Sequence, residues 1–153
     1  MASRRILHEF KELNNDNSIV CLARAVDNEI NTWNLAMQGP VDTPYETGSF
    51  IIRVVFSADH PFSPPALQFQ TRIYHPNIDS QGNICIDILK DNWSPVLSIS
   101  KIVTSLQSLL AEPNPHDPLV QESADLYLDD RDEFNAKAKL WCNLYASSSS
   151  LQA

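Results

Sequence analysis

Prolines divide this chain before any other signal is read. Proline lacks a backbone N–H and locks φ, so helix interiors and central strands exclude it. His60-Pro61-Phe62-Ser63-Pro64-Pro65 is therefore an irregular loop, Gly39-Pro40 stops a strand, and Pro113 with Pro115 ends a helix. Between these stops, Trp33, Leu35 and Met37 alternate with Thr32, Asn34, Ala36 and Gln38, the period-2 signature of a half-buried strand. Ser49 to Phe56 (SFIIRVVF) has the aromatic and β-branched content of another, and Leu67 and Phe69 alternate in a short one. Upstream, Val20, Leu22 and Val26 interleave with Cys21, Ala23 and Ala25. Four strands in succession with short links predict an antiparallel meander.

Helical periodicity flanks this region. Ser3 is placed to cap a first helix through Ile6, Phe10 and Leu13, which the Asn14-Asn15-Asp16-Asn17 cluster ends. Ile99, Ile102, Val103, Leu106, Leu109 and Leu110 form a wide apolar stripe capped by Ser98. Pro118 precedes a short helix near Gln121 to Leu128. Asp130 and Glu133 then form an Asp version of the capping box, before a last helix with Phe134, Ala138, Trp141 and Tyr145 inward. Residues 1–147 read as one α+β domain with helices segregated around the sheet, and 148–153 as a short, disordered Ser-rich tail.

Composition removes several classes of function. A formal charge of −8 opposes nucleic-acid binding, which needs clustered Lys and Arg. Arg4, Arg5 and Lys11 nonetheless make the first helix locally basic, while Glu112 to Glu133 is acidic. The basic patch is either a steering surface for an acidic protein partner or a solvated helix face. No apolar run reaches the ~20 residues of a membrane span, and MASRRILHEF lacks a secretory h-region. The expected address is cytoplasmic and nuclear. Three cysteines without a CxxC pair imply neither a disulfide framework nor a metal site. Cys21 and Cys142 read as small core hydrophobes.

Cys85 differs from both. It lies eight residues beyond His75-Pro76-Asn77 and just before Trp93-Ser94-Pro95, in backbone full of turn-formers. A thiolate is a strong nucleophile and a good leaving group, so it can accept an acyl group and pass it on. A hydrolytic site would add a histidine base. His75, the near candidate, sits immediately before Pro76 and reads better as a buried residue that holds the loop. The site therefore suits transfer from an already activated thioester. Asn77 is either a donor to the developing oxyanion or a bond to the loop backbone. Asp87 and Asp117 either orient and deprotonate an incoming lysine or merely cap turns, Asp117 only if the Pro-rich segment folds back. Phe62 either packs inward or is an exposed anchor for a partner.

Taken together, His75-Pro76-Asn77, Gly82-Asn83-Ile84-Cys85, Asp87-Ile88-Leu89, Trp93-Ser94-Pro95 and Pro113-Asn114-Pro115 resemble the ubiquitin-conjugating enzymes, specifically the small group consisting of the core catalytic domain. The resemblance implies a four-stranded antiparallel meander with an N-terminal helix and three C-terminal helices. It implies that Cys85 accepts ubiquitin from the activating enzyme as a thioester and delivers it to a substrate lysine with a ligase of RING or HECT type. Asn77 would then support the oxyanion, and Asp87 and Asp117 would position and deprotonate lysine. His75, Pro76 and Asn114 would structure the loop. Arg4, Arg5, Phe62, Trp93, Ser94, Pro95 and Val96 would meet the ligase or the activating enzyme. No cofactor is implied; ATP is consumed by the upstream activating enzyme. A monomer is expected, acting in protein ubiquitination and degradation, without nucleic-acid or membrane partners.

Against the same family pattern, Thr47 replaces a glycine, His60 a tyrosine, Val96 an alanine beside the ligase-binding proline, and His116 an acid next to Asp117. Leu22 replaces a serine on the outer sheet face used for a second, non-covalent ubiquitin. Thr104 replaces a leucine that packs on the donor ubiquitin. The alternatives are a non-catalytic ubiquitin-positioning relative, a carrier of a ubiquitin-like modifier, and a cysteine protease. Retention of Cys85 opposes the first, and the placement of His75 opposes the last.

Overall fold

The computed structural model describes residues 2–16, 21–26 and 29–147. Asn17 and Val20, placed above in the first helix stop and first strand, and the tail 148–153 lie outside them. Helix α1 (Ala2–Asn15) leads into strands β1 (Cys21–Val26), β2 (Glu29–Gln38), β3 (Ser49–Val55) and β4 (Ala66–Phe69). A single 3-10 turn follows at Asp87–Leu89, then α2 (Ile99–Ala111), α3 (Gln121–Asp129) and α4 (Arg131–Tyr145). The sheet has order β1-β2-β3-β4 with every pair antiparallel, the meander expected from consecutive strands.

Register explains which side chains are inside. Leu35 pairs with Ile52 and Met37 with Phe50, while Ile52 and Val54 face Phe69 and Leu67 across the next ladder. Because strand side chains alternate, this register sends all of them to one face. That face is buried with Cys21, Ala23 and Trp33, and Ile99, Ile102, Val103, Leu106 and Leu110 of α2 complete the core. Leu22 stands on the opposite face and is exposed.

The helix ends show where local signals were read correctly and where they were not. Ser98 caps α2, accepting the Lys101 N–H at 3.4 Å. Ser3 does not cap α1, which already includes Ala2, so Ser3 lies in its first turn. Asp130 accepts the Glu133 N–H at 3.1 Å, but its own N–H goes to the Leu126 carbonyl at 2.8 Å. Its backbone therefore finishes α3 while its side chain starts α4, and the reciprocal half of a capping box is not made. The inner face of α4 is Phe134, Ala138 and Cys142. Trp141 and Tyr145 lie half-buried at its flank, each with its ring 5.0 Å from the Arg72 guanidinium. Asn14, at the end of α1, hooks the free edge of β1: its Oδ1 accepts the Ala23 N–H at 2.8 Å and its Nδ2 donates to the Ala23 carbonyl at 3.2 Å.

Candidate active site

The strand-like path from His75 to Cys85 is shaped by Asp79. Its carboxylate accepts N–H groups from Gln81 and Asn83 at 3.0 and 2.9 Å, the Asx geometry that bends a chain locally. Gly82 completes the turn at φ +86, and a Cβ there would lie 2.0 Å from the Phe69 carbonyl oxygen. The Gly82 carbonyl in turn accepts the Phe69 N–H at 2.9 Å, so the turn hangs on the end of β4. From it the chain returns antiparallel, Ile84 bridging Ile78 and the Cys85 N–H donating to the Asn77 carbonyl at 2.9 Å.

Beneath this loop, His75 and Asn77 are buried and their side-chain polar atoms are all engaged. His75 Nδ1 accepts the Asn77 N–H at 3.0 Å, which leaves Nε2–H to donate to the Leu109 carbonyl of α2 at 2.9 Å. Burial pushes its pKa down to about 4, so the ring is neutral near pH 7. No lone pair is free for Cys85, and the loop-holding reading of His75 fits these bonds. Asn77 Nδ2 donates to the carbonyls of Asn114 (2.9 Å) and Asp117 (3.1 Å), and its Oδ1 accepts the Asn114 N–H at 2.8 Å. The Pro76 carbonyl accepts the N–H groups of Leu119 and Val120 at 2.9 and 3.1 Å. These bonds fold the Pro-rich segment back over the loop.

That return brings Asp117 to the thiol. Cys85 is half-buried, and its Sγ lies 3.7 Å from Asp117 Oδ2 and 3.6 Å from Lys90 Nζ. Burial pushes the Cys21 thiol up to about 12 and raises that of Cys142, which suits both to the core. Asp87 does not join Cys85. It is exposed, its carboxylate accepts from Asn92 Nδ2 at 2.8 Å, and its carbonyl accepts the N–H groups of Lys90 and Asn92. The sequence reading overlooked Asp79 and Lys90. The first was discoverable as an Asx residue before a glycine; the second depends on the 3-10 turn, a single turn of Asp87, Ile88 and Leu89 too short to show a helical period.

Beside the thiol runs an open groove lined by Ile86, Asp87, Ile88, Thr104, Ser108 and Leu109 among others. The Thr104 hydroxyl donates to the Ser100 carbonyl at 3.0 Å, so only its methyl remains apolar there. Among the described residues no cluster of His, Cys, Asp and Glu could hold a metal, and no helix is long and apolar enough to cross a membrane.

The residues assigned to docking gather elsewhere. Phe62 is 71% exposed and Val96 75%, which answers the open question about Phe62: it points outward. Trp93 is half-buried and its Nε1–H donates to the Pro61 carbonyl at 3.0 Å, which ties the two loops together. Ser94 accepts the Leu97 N–H on its carbonyl at 3.0 Å, while Pro95 is exposed. Arg5 is turned inward. Its guanidinium donates to Glu9 at 2.9 Å and to the carbonyls of Pro95 and Leu97 at 2.9 and 3.1 Å, so it fastens α1 to this loop. Arg4 alone of the pair is exposed. Glu9, overlooked in the sequence, is buried at the centre: it also accepts from His60 Nε2 at 2.7 Å and from the Ile99 N–H at 2.8 Å.

Comparison with known proteins agrees with this geometry. The family model described as ubiquitin-conjugating enzyme matches residues 5–142. Among solved structures, the E2 domain of a Toxoplasma gondii ubiquitin conjugating enzyme is similar at 38% identity with a TM-score of 0.89, over 96% of this chain and 100% of that one.

Proposed function

This chain belongs to the ubiquitin-conjugating enzyme family, and from that premise we propose that it accepts ubiquitin from the activating enzyme on Cys85 and passes it to a substrate lysine with a ligase bound. One observation carries the reading: a half-exposed thiol with a carboxylate 3.7 Å away, above a His75 ring whose two nitrogens are both bonded to backbone groups. An amide is too poor an acyl donor for such a site, whereas a thioester is already activated.

In the first step Cys85, as thiolate, attacks the thioester carbon on the activating enzyme. A new C–S bond forms and the donor's cysteine leaves as thiolate. In the second, a lysine amine attacks the Cys85 thioester, the C–N bond forms, and Sγ departs. Lysine is protonated near neutral pH, with an ordinary pKa of ~10.4, so it must shed protons to react. Asp117 is the group placed to take one, and such a positioned base contributes on the order of 10²–10⁴ in rate. Asp87, at the rim, is assigned to orienting the incoming amine. Asn77 positions Asp117 through the bonds to its segment. Donation to the oxyanion requires one Asn77 N–H to leave the carbonyl of Asn114 or Asp117.

Exposed Phe62, Pro95 and Val96, backed by Trp93 and Ser94, form the proposed ligase surface, and Arg4 is left to meet the activating enzyme. Loading tests the whole reading. With activating enzyme, ATP and ubiquitin, the protein should form a thiol-sensitive adduct, and Cys85→Ser a thiol-stable one. If active controls load and this chain does not, the thioester reading fails for ubiquitin. Swapping the modifier and its activating enzyme then separates a ubiquitin-like cargo from a non-catalytic relative.

A further inference from the structure

Two opposite charges stand at almost the same distance from one sulfur. Asp117 Oδ2 lies 3.7 Å from Cys85 Sγ, and Lys90 Nζ lies 3.6 Å from it. Lys90 closes the 3-10 turn of Asp87–Leu89: its N–H donates to the Asp87 carbonyl at 2.9 Å, and its carbonyl accepts the Trp93 N–H at 3.3 Å. The Asp87 carboxylate, in the same turn, accepts from Asn92 Nδ2 at 2.8 Å. Among the described residues no carboxylate lies within ion-pair distance of the Lys90 amine, so its polar contact is the sulfur.

The two contacts suit different states of that sulfur. A thiol has a proton to donate, and Asp117 can accept it; a thiolate can only accept, and the Lys90 ammonium can donate. A carboxylate held beside Sγ to serve the incoming amine repels the charge that Sγ must carry, first as nucleophile and later as leaving group. An ammonium on the same atom offsets that repulsion and adds a charge-assisted hydrogen bond.

We propose that Lys90 is a further catalytic residue, which balances the negative charge of Sγ in both transfer steps while Asp117 serves the amine. The inference rests on the thioester reading above. In loading, the Cys85 thiol loses its proton to water, the thiolate accepts the Lys90 N–H, and Sγ attacks the donor thioester. The new C–S bond forms and the donor's sulfur leaves with its electron pair. In discharge the lysine nitrogen attacks, the C–N bond forms, the C–S bond breaks, and Sγ departs with the pair towards Lys90. The proton shed by nitrogen goes to Asp117, and Lys90 keeps its own. A lysine ammonium, with an ordinary pKa of ~10.4, holds its charge near neutral pH.

The test uses the unloaded protein first. Iodoacetamide reacts with the thiolate, so its rate at Cys85, followed by peptide mass spectrometry at pH 7.5, reads how well Sγ carries charge. Lys90→Met should react about two- to fivefold more slowly, the range of an exposed ion pair. Lys90→Arg should restore the rate, and the gap should narrow in 1 M salt, where the screening length is about 3 Å. After loading with activating enzyme, ATP and ubiquitin, Lys90→Met should discharge to free lysine more slowly by a similar factor. Equal alkylation of wild type and Lys90→Met would overturn the inference and leave the thioester reading to its own loading test. So would a slower rate that neither arginine restores nor salt moves, because that is the mark of a structural role. A salt-sensitive difference with no thiol-sensitive adduct from either protein would overturn the thioester reading, and the catalytic role with it.

Discussion

Two buried histidines, each followed by proline, hold the two ends of this protein in different ways. His75 sits under the active-site loop with both ring nitrogens bonded to backbone groups. His60 sits under the docking loops with Nε2 on the Glu9 carboxylate and Nδ1 buried without a partner. The first cluster is neutral and fully satisfied. The second is built on a carboxylate shared by Arg5, His60 and the Ile99 N–H, and it is left one bond short. Satisfied buried networks specify one geometry, while a missing partner costs desolvation without return. Under the proposed function, the chemistry at Cys85 would need a fixed Asp117, whereas a docking surface would not need the same rigidity.

The contrast can be broken most severely at Glu9. Glu9→Ala strips three donors of their acceptor and should cost about 3–5 kcal/mol, the range for breaking a buried charged pair. Urea unfolding would show it, and ligase-free discharge of the loaded protein should survive in the folded fraction. A discharge defect as large as the stability defect would mean that the two ends are one unit. Asn77→Ala attacks the other cluster and should cost about 2–3 kcal/mol through its lost bonds. It should also slow lysine discharge roughly a hundredfold while leaving loading nearly intact, the loss typical of a disturbed transition-state contact. Unchanged discharge in single-turnover assays would remove Asn77 from the reaction.

A third, smaller effect is the pH dependence that His75 carries. The folded-state pKa of His75 is about 4, below the ordinary 6.5, because burial disfavours the charged ring. The unfolded chain therefore binds a proton that the native state refuses between those values, so stability rises with pH through this window. Its contribution is complete above pH 6.5 and disappears as the pH falls towards 4; lowering the pH from 6.5 to 5 should cost about 2 kcal/mol. Unfolding free energies of wild type and His75→Gln across that window would reveal the difference, and parallel curves would refute it. The smallest stability effect belongs to Phe62→Ala, within about 0.5 kcal/mol because the ring is exposed. Its expected defect is a loss of ligase-stimulated discharge with loading preserved, and equal stimulation in both proteins would remove Phe62 from the docking surface.

The sheet was legible in the sequence because strand periodicity repeats in every ladder: Trp33, Leu35 and Met37 can face inward only together. That Cys85 differs from the two core cysteines was legible from its neighbours in the chain, and the structure leaves it half-buried where Cys21 and Cys142 are buried. Of the side chains at that thiol, Lys90 was not legible, and Asp117 was legible only on condition that the Pro-rich segment fold back. Asp117 approaches Cys85 through bonds between Asn77 and a segment far along the chain, and no local pattern encodes such a contact. Arg5 and Phe62 illustrate the same limit from opposite sides. Both were assigned to docking, yet Arg5 is spent on Glu9 and two carbonyls, whereas Phe62 is free. Glu9 could have been suspected: it shares the α1 face of Ile6, Phe10 and Leu13, where a carboxylate needs partners.

The grip of Asn14 on Ala23 bears on how this protein behaves in a crowd. An outermost strand normally offers a row of unpaired N–H and carbonyl groups on which a second chain can stack and nucleate aggregates. Here one side-chain amide occupies that row near its middle, supplying a donor and an acceptor in the pattern a fifth strand would use. Growth of the sheet from this side must first dislodge the end of α1, so a single asparagine closes the β1 edge to strand addition.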